Sequence, residues 1–298
     1  MIRQKWFLII TITICQLTFN EAFAQNSEKL KYCPPVRSEF KLTDNLILHQ
    51  NIRYGAIPDS VDSSNSDRIL DLYLPENSQT QQASLPVFVF IHGGGFTGGD
   101  KDVRALCSNM ALQGFAVVSI NYRLTLKYNK VSGASCSANM SKGLPVNGKF
   151  HPMLQKAVKN ASEDAEMALG WIKSNAEKYR LDLSKLVVSG GSAGAMTALH
   201  LAYVSNPKFV SIKAVIDFWG GLENAAIIRK GAAPILIYHG DQDSTINIAY
   251  AYALKHRMDV IGSQKSQLRI LKDKGHAQYN LIAKEKIAEI VSFLKTVL

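Results

Sequence analysis

From residue 46 onward the chain alternates between strand-like and helix-like patterning. Leu46 to Arg53 and Arg68 to Leu74 alternate apolar and polar side chains, as half-buried strands do, and a Ser/Asp/Asn-rich turn at 59–67 separates them. Pro86 to His92 is a continuous apolar run, the pattern of a strand buried on both faces. Phe115 to Tyr122, Leu186 to Ser189, Ala214 to Phe218, Pro234 to His239 and Gln267 to Leu271 continue the series. Helices are predicted from Val103 to Gln113, from Met153 to Tyr179, and near 193–204, 249–260 and 282–297. Repeated strand-then-helix units predict the α/β class, with a mostly parallel central sheet and helices on both faces. The first two strands lack a helix between them, which predicts an antiparallel start. Residues 25–45 are polar and mixed, and read as an N-terminal arm. Thr125 to Phe150 is rich in Ser, Gly, Asn and Lys. A loop of that length is usually functional, and this one reads as a small lid or substrate-binding insert at about 125–150.

Composition narrows the class. Of 298 residues, 47% are hydrophobic and 19% charged, a balance that suits a globular protein and argues against disorder. Arg3 and Lys5 precede a largely apolar stretch, Trp6 to Leu17, and Ala22-Phe23-Ala24 ends it with small residues. That is the layout of a secretory signal peptide over 1–24, which leaves 25–298 as a single domain, secreted or periplasmic. No later stretch approaches the roughly 20 apolar residues of a membrane span, so no integral membrane segment is expected in the mature chain. Cleavage removes Arg3, Lys5 and Glu21, two basic residues and one acidic, so the +10 of the full chain becomes +9. The basic residues are scattered, and they read as a solvated surface rather than a nucleic-acid site. Cys33, Cys107 and Cys136 remain in an oxidising compartment, enough for one disulfide and one thiol. Cys107 with Cys136 is the favoured pair, with Cys33 as the competing partner.

The strongest chemical signal is Ser189-Gly190-Gly191-Ser192-Ala193-Gly194, a G-x-S-x-G placed between an apolar strand and a small-residue helix. A serine in a strained strand-to-helix turn needs glycine neighbours so that backbone can approach. The helix N-terminus beyond it favours negative charge. Ile91-His92-Gly93-Gly94-Gly95-Phe96 follows a buried strand, and three successive glycines leave amides free to face one spot, to which Ala193 would add another. A serine hydroxyl needs a base, and the base an acid to hold its tautomer. His276, in a loop after the last strand, is the natural base; His200 lies down a helix, His256 on a charged helix, and His239 ends a strand. Asp241 and Asp243 both follow the preceding strand. Asp243 is favoured because it lies further from the strand end and opens a turn. Arg123 is expected to pair with Asp164 on the long helix. Trp219 is a candidate for the substrate pocket, with core packing as an equal alternative. No metal-ligand spacing and no cofactor motif occurs.

These motifs fall in the order seen in α/β-hydrolase esterases. The chain resembles the hormone-sensitive-lipase-like carboxylesterases and the bacterial feruloyl/acetylxylan esterase group. The resemblance runs over about 46–298 and implies an α/β-hydrolase fold. It implies that Gly94, Gly95 and Ala193 form an oxyanion hole, and it supports Asp243 over Asp241. Two departures shape the substrate expectation. Gly191 stands where many lipase-like members carry an acidic residue, and residues 25–45 are too few for a large helical cap. An open cleft taking short acyl groups follows, with small or glycan-borne esters as substrates. An exopeptidase or amidase on the same scaffold, and a non-catalytic binding protein with a hydrolase shell, are the competing readings.

Overall fold

The computed structural model describes residues 39–43, 45–57, 64, 66–76 and 83–298. The expected signal at 1–24, Cys33 and most of the turn at 59–67 lie outside the described residues. Among the described residues nine strands form one sheet, in the order β1-β2-β3-β5-β4-β6-β7-β8-β9. They are β1 (Glu39–Thr43), β2 (Leu46–Arg53), β3 (Ile69–Pro75), β4 (Leu85–Ile91), β5 (Ala116–Ile120), β6 (Leu181–Gly191), β7 (Ile212–Phe218), β8 (Ile235–Gly240) and β9 (Gln267–Leu271). The pairs β1·β2, β2·β3 and β3·β5 are antiparallel, and every pair from β5·β4 through β8·β9 is parallel. The fold is that of the α/β hydrolases, with the antiparallel start that the sequence predicts.

The pleat explains the apolar run of β4. Val89 pairs with Val118 and Val188, and faces a core that also holds Ala157, Ala161 and Leu169 of the helix Pro152–Ser174. Its neighbours Phe88 and Phe90 face the opposite core, with Leu106 of the helix Arg104–Ala111 and Ile290 of the helix Ile287–Val297. A strand covered on both sides has no polar face, so alternation vanishes from its sequence.

Three expectations need correction. Glu39–Thr43 pairs with β2 as an edge strand, although the polar composition of 25–45 reads as an arm. The long helix stops at Ser174, where the Asn175 side chain donates back to the Trp171 carbonyl at 2.8 Å, and a separate turn, Ala176–Tyr179, follows. Cys107 and Cys136 are both free and buried. Cys107 lies in the core on one face of the sheet and Cys136 in the core on the other, so the sheet itself keeps them apart.

The Thr125 to Phe150 insert carries two short helices, Thr125–Tyr128 and Cys136–Met140. The Arg123–Asp164 pair forms as expected: the fully buried carboxylate accepts from Arg123 Nε and from its amide at 2.9 Å, and from Arg68 Nε at 2.9 Å. It anchors the start of the insert to the long helix.

Candidate active site

The parallel strands all end at the same edge of the sheet, and the chemistry-bearing residues gather there. β6 delivers Ser192 in a backbone conformation of φ 55°, ψ −121°, far outside the regions that non-glycine residues favour. The turn is held on both sides: Ser192 N donates to the Phe218 carbonyl at 2.9 Å, and the Ser192 carbonyl accepts from Met196 N at 2.9 Å. Gly194 is required by close approach, since a Cβ there would lie 2.0 Å from the Ile91 carbonyl at the end of β4.

His276, on the loop after β9, bridges the serine and an acid. Its Nε2 lies 2.8 Å from Ser192 Oγ and its Nδ1 2.7 Å from Asp243 Oδ2. The carboxylate can only accept, so Nδ1 carries the proton and Nε2 offers its lone pair to the serine hydroxyl. Burial works to raise the Asp243 pKa, but the hydrogen bond from His276 and those from the Ile246 and Thr245 amides outweigh it. The carboxyl is held below its ordinary range. Asp241 does something different: its Oδ1 accepts from the Asp273 amide at 2.7 Å and ties the loop after β8 to the loop after β9. The two aspartates therefore divide into one that contacts the imidazole and one that fixes the loop carrying it.

The other three histidines downstream of Ser192 have different surroundings. His239 is fully buried, donates from Nε2 to the Ile246 carbonyl at 2.8 Å, and lies 3.5 Å from Asp243 Oδ2. Burial holds its pKa below the ordinary value. His200 contacts Ser205, and His256 is exposed.

The glycine loop is braced from below. The His92 ring stacks on Tyr122 with centroids 4.5 Å apart, and Tyr122 Oη donates to the His92 carbonyl at 2.9 Å. Asn121 accepts from the Lys101 amide and donates to Asp100, which closes the far end of the loop. The amides of Gly94, Gly95 and Ala193 donate to no other backbone carbonyl among the described residues. Gly94, Gly95, Ser192 and His276 share one cleft of about 520 Å³, with Ser135 and Cys136 of the insert on its wall.

Trp219 follows its core alternative rather than the pocket one. It is fully buried and does not line the cleft; its ring meets His276 edge-on at 6.4 Å and Tyr279 edge-on at 5.0 Å. Tyr279 takes the wall position instead, and sequence reasoning missed it. Its phenol faces Gly93 and Gly191, where a side chain at position 191 would project. Burial pushes the Tyr279 pKa up to about 12, against the opposing pull of the Gly93 amide and Trp219. The only signal in the sequence is an aromatic residue three positions after His276.

Comparisons with known proteins find similarity to esterases. The family model BD-FAE matches residues 70–134 and 146–226, a stretch that includes the glycine loop and Ser192. Esterase-5C of Drosophila miranda is 29% identical over 165 residues, which cover 55% of this chain and 26% of that protein. The chain thus spans about a quarter of the length of the first curated relatives it matches. Among solved structures, a truncated carbohydrate esterase from gut microbiota superposes with a TM-score of 0.58 at 18% identity, covering 87% of this chain and 99% of that one. Esterase B from Lactobacillus rhamnosis gives a TM-score of 0.61 at 16% identity, over 96% and 94% of the two chains.

Proposed function

We propose a reaction for a chain that belongs to the BD-FAE family of α/β-hydrolase esterase domains: hydrolysis of short-chain carboxylic esters through an acyl-enzyme on Ser192. The observation that carries it is the hydrogen-bonded line from Ser192 Oγ through His276 to Asp243, at 2.8 and 2.7 Å, opening onto the cleft.

In the first half-reaction His276 Nε2 takes the Ser192 proton as Oγ attacks the ester carbonyl carbon. The amides of Gly94, Gly95 and Ala193 receive the oxyanion, already oriented before charge develops. His276 then protonates the leaving alcohol. Water enters, gives its proton to His276 and attacks the acyl carbon, and Ser192 leaves with the proton returned. Asp243 keeps the imidazole in one tautomer and offsets its charge. The carbohydrate esterase likeness and the signal-peptide-like sequence pattern of residues 1–24 favour acetyl or feruloyl groups on polysaccharide as the natural esters.

Hydrolysis of a p-nitrophenyl acyl series and of acetylated xylan tests the reading, with p-nitroanilides for the amidase alternative. Ser192→Ala should lower turnover by about 10⁶, the loss seen when a serine hydrolase loses its nucleophile. Wild-type protein that neither hydrolyses esters nor labels with a fluorophosphonate would instead support a binding protein.

A further inference from the structure

Two cavities flank the helix that starts after Ser192. One is the cleft of about 520 Å³, into which the insert helix Cys136–Met140 brings Cys136. The other, about 250 Å³, is walled by Phe150, Val158, Met196, Leu222 and Ile227, and Ser192 does not line it. Cys136 lines the first cavity and Met196 the second. The Cys136 thiol meets Met196 Sδ at 3.8 Å, and the two residues are 4% and 1% exposed. At this point the cavities are separated by two side chains in contact.

The position of that contact gives it meaning. Met196 stands one helical turn beyond Ser192, its amide bonded to the Ser192 carbonyl. One turn of helix rises about 5.4 Å, a span comparable to a few carbons of an acyl chain. Burial pushes the Cys136 thiol up to about 12, so it stays protonated and acts here by packing. The chamber behind it is mainly apolar, so it suits a hydrocarbon chain better than a sugar.

We propose that the Cys136–Met196 pair is the end wall of the acyl subsite, which confines the protein to short acyl groups, and that the second cavity is the room a longer unbranched acyl chain enters once this wall is cut back. The proposal rests on the ester-hydrolase reading and names which part of the substrate the wall measures.

The test compares kcat/KM for p-nitrophenyl acetate, butyrate and octanoate in the wild type, Met196→Ala and Cys136→Ala. The octanoate-to-acetate ratio should rise about tenfold or more in Met196→Ala, the scale on which an apolar pocket discriminates by size. It should rise by less, in the same direction, in Cys136→Ala. The cysteine variant removes one atom, so it guards against a methionine variant that fails to fold. Wild type inactive on all three esters would sink the ester-hydrolase reading itself. Wild type active on acetate, with the same ratio in folded variants, would overturn the wall alone. A wild type that already prefers octanoate would overturn it too, as would a change confined to alkyl acetates, which vary the alcohol side.

Discussion

The phenol of Tyr279 occupies the space that a side chain at Gly191 would fill: a Cβ built there would meet Tyr279 Oη at 2.2 Å and Cζ at 2.6 Å. The residue before the nucleophile is glycine because an aromatic ring from the loop region of the base has taken its place. Gly191→Ala should therefore cost about 1–3 kcal/mol, the range for forcing extra atoms into packed surroundings. Adding Tyr279→Ala to it should recover part of that loss, measured as a coupling in a double-mutant cycle. Melting of Gly191→Ala at the wild-type temperature would contradict this account.

Asp243 and Asp241 should separate sharply in kinetics. Asp243→Asn places a side-chain amide beside His276 Nδ1 and favours the wrong tautomer, so kcat should fall by roughly 10⁴. Asp241→Asn keeps an acceptor for the Asp273 amide and should lose far less. Equal losses in the two variants would mean that loop position, not tautomer control, is what the acid supplies. The Asp243 pKa is lowered in the fold, so its contribution to stability is complete above the unfolded carboxylate value and disappears as pH falls through the folded one.

Asp217 should behave in the opposite sense. It is fully buried, with one oxygen accepting from the Gly220 amide at 2.7 Å and the other without a hydrogen-bond partner. Burial raises its pKa to about 7 from an ordinary 3.8, against the Gly220 bond. Between those values the folded state holds a proton that the unfolded state has released, so stability declines as pH rises through this window. The effect amounts to a few kcal/mol at about 1.4 kcal/mol per unit. Asp217→Asn should flatten that decline in urea melts taken from pH 5 to pH 8, and an unchanged slope would remove Asp217 as its source.

Cys107 and Cys136 should resist thiol reagents in the native protein. Both are buried and both have pKa values pushed up to about 12, so thiolate is scarce and access is poor. Iodoacetamide labelling followed by peptide mass spectrometry should find both unmodified until the protein is unfolded. A disulfide linking them would contradict their placement on opposite faces of the sheet.

Much of this site is legible in the chain because its signals are local. The apolar run at Pro86 to His92 and the glycines around Ser192 reflect what each short segment must do wherever it lies. The order of serine, acid and base follows from the order of strands. Features set by distant partners leave no such mark. Glu39–Thr43 becomes a strand only because β2 offers an edge. Cys107 and Cys136 are close to their neighbours in sequence patterning, but the sheet that parts them is built from segments spread over the whole chain. Tyr279 counts because Gly191, almost ninety positions earlier, leaves room for it. Trp219 misleads in the same way, since whether an aromatic residue faces core or cleft depends on what packs over it.

The order of strands has a consequence for how the protein ages under heat. Ser192 is rooted in β6, at the interior of the sheet, whereas His276 hangs from β9, the last strand, whose residues are mostly half-buried. Sheet margins open locally at lower free energy than centres do. Reversible fraying of that margin would carry the imidazole away from an otherwise intact nucleophile, so catalytic output should decline on warming while most of the molecule still holds its native circular dichroism.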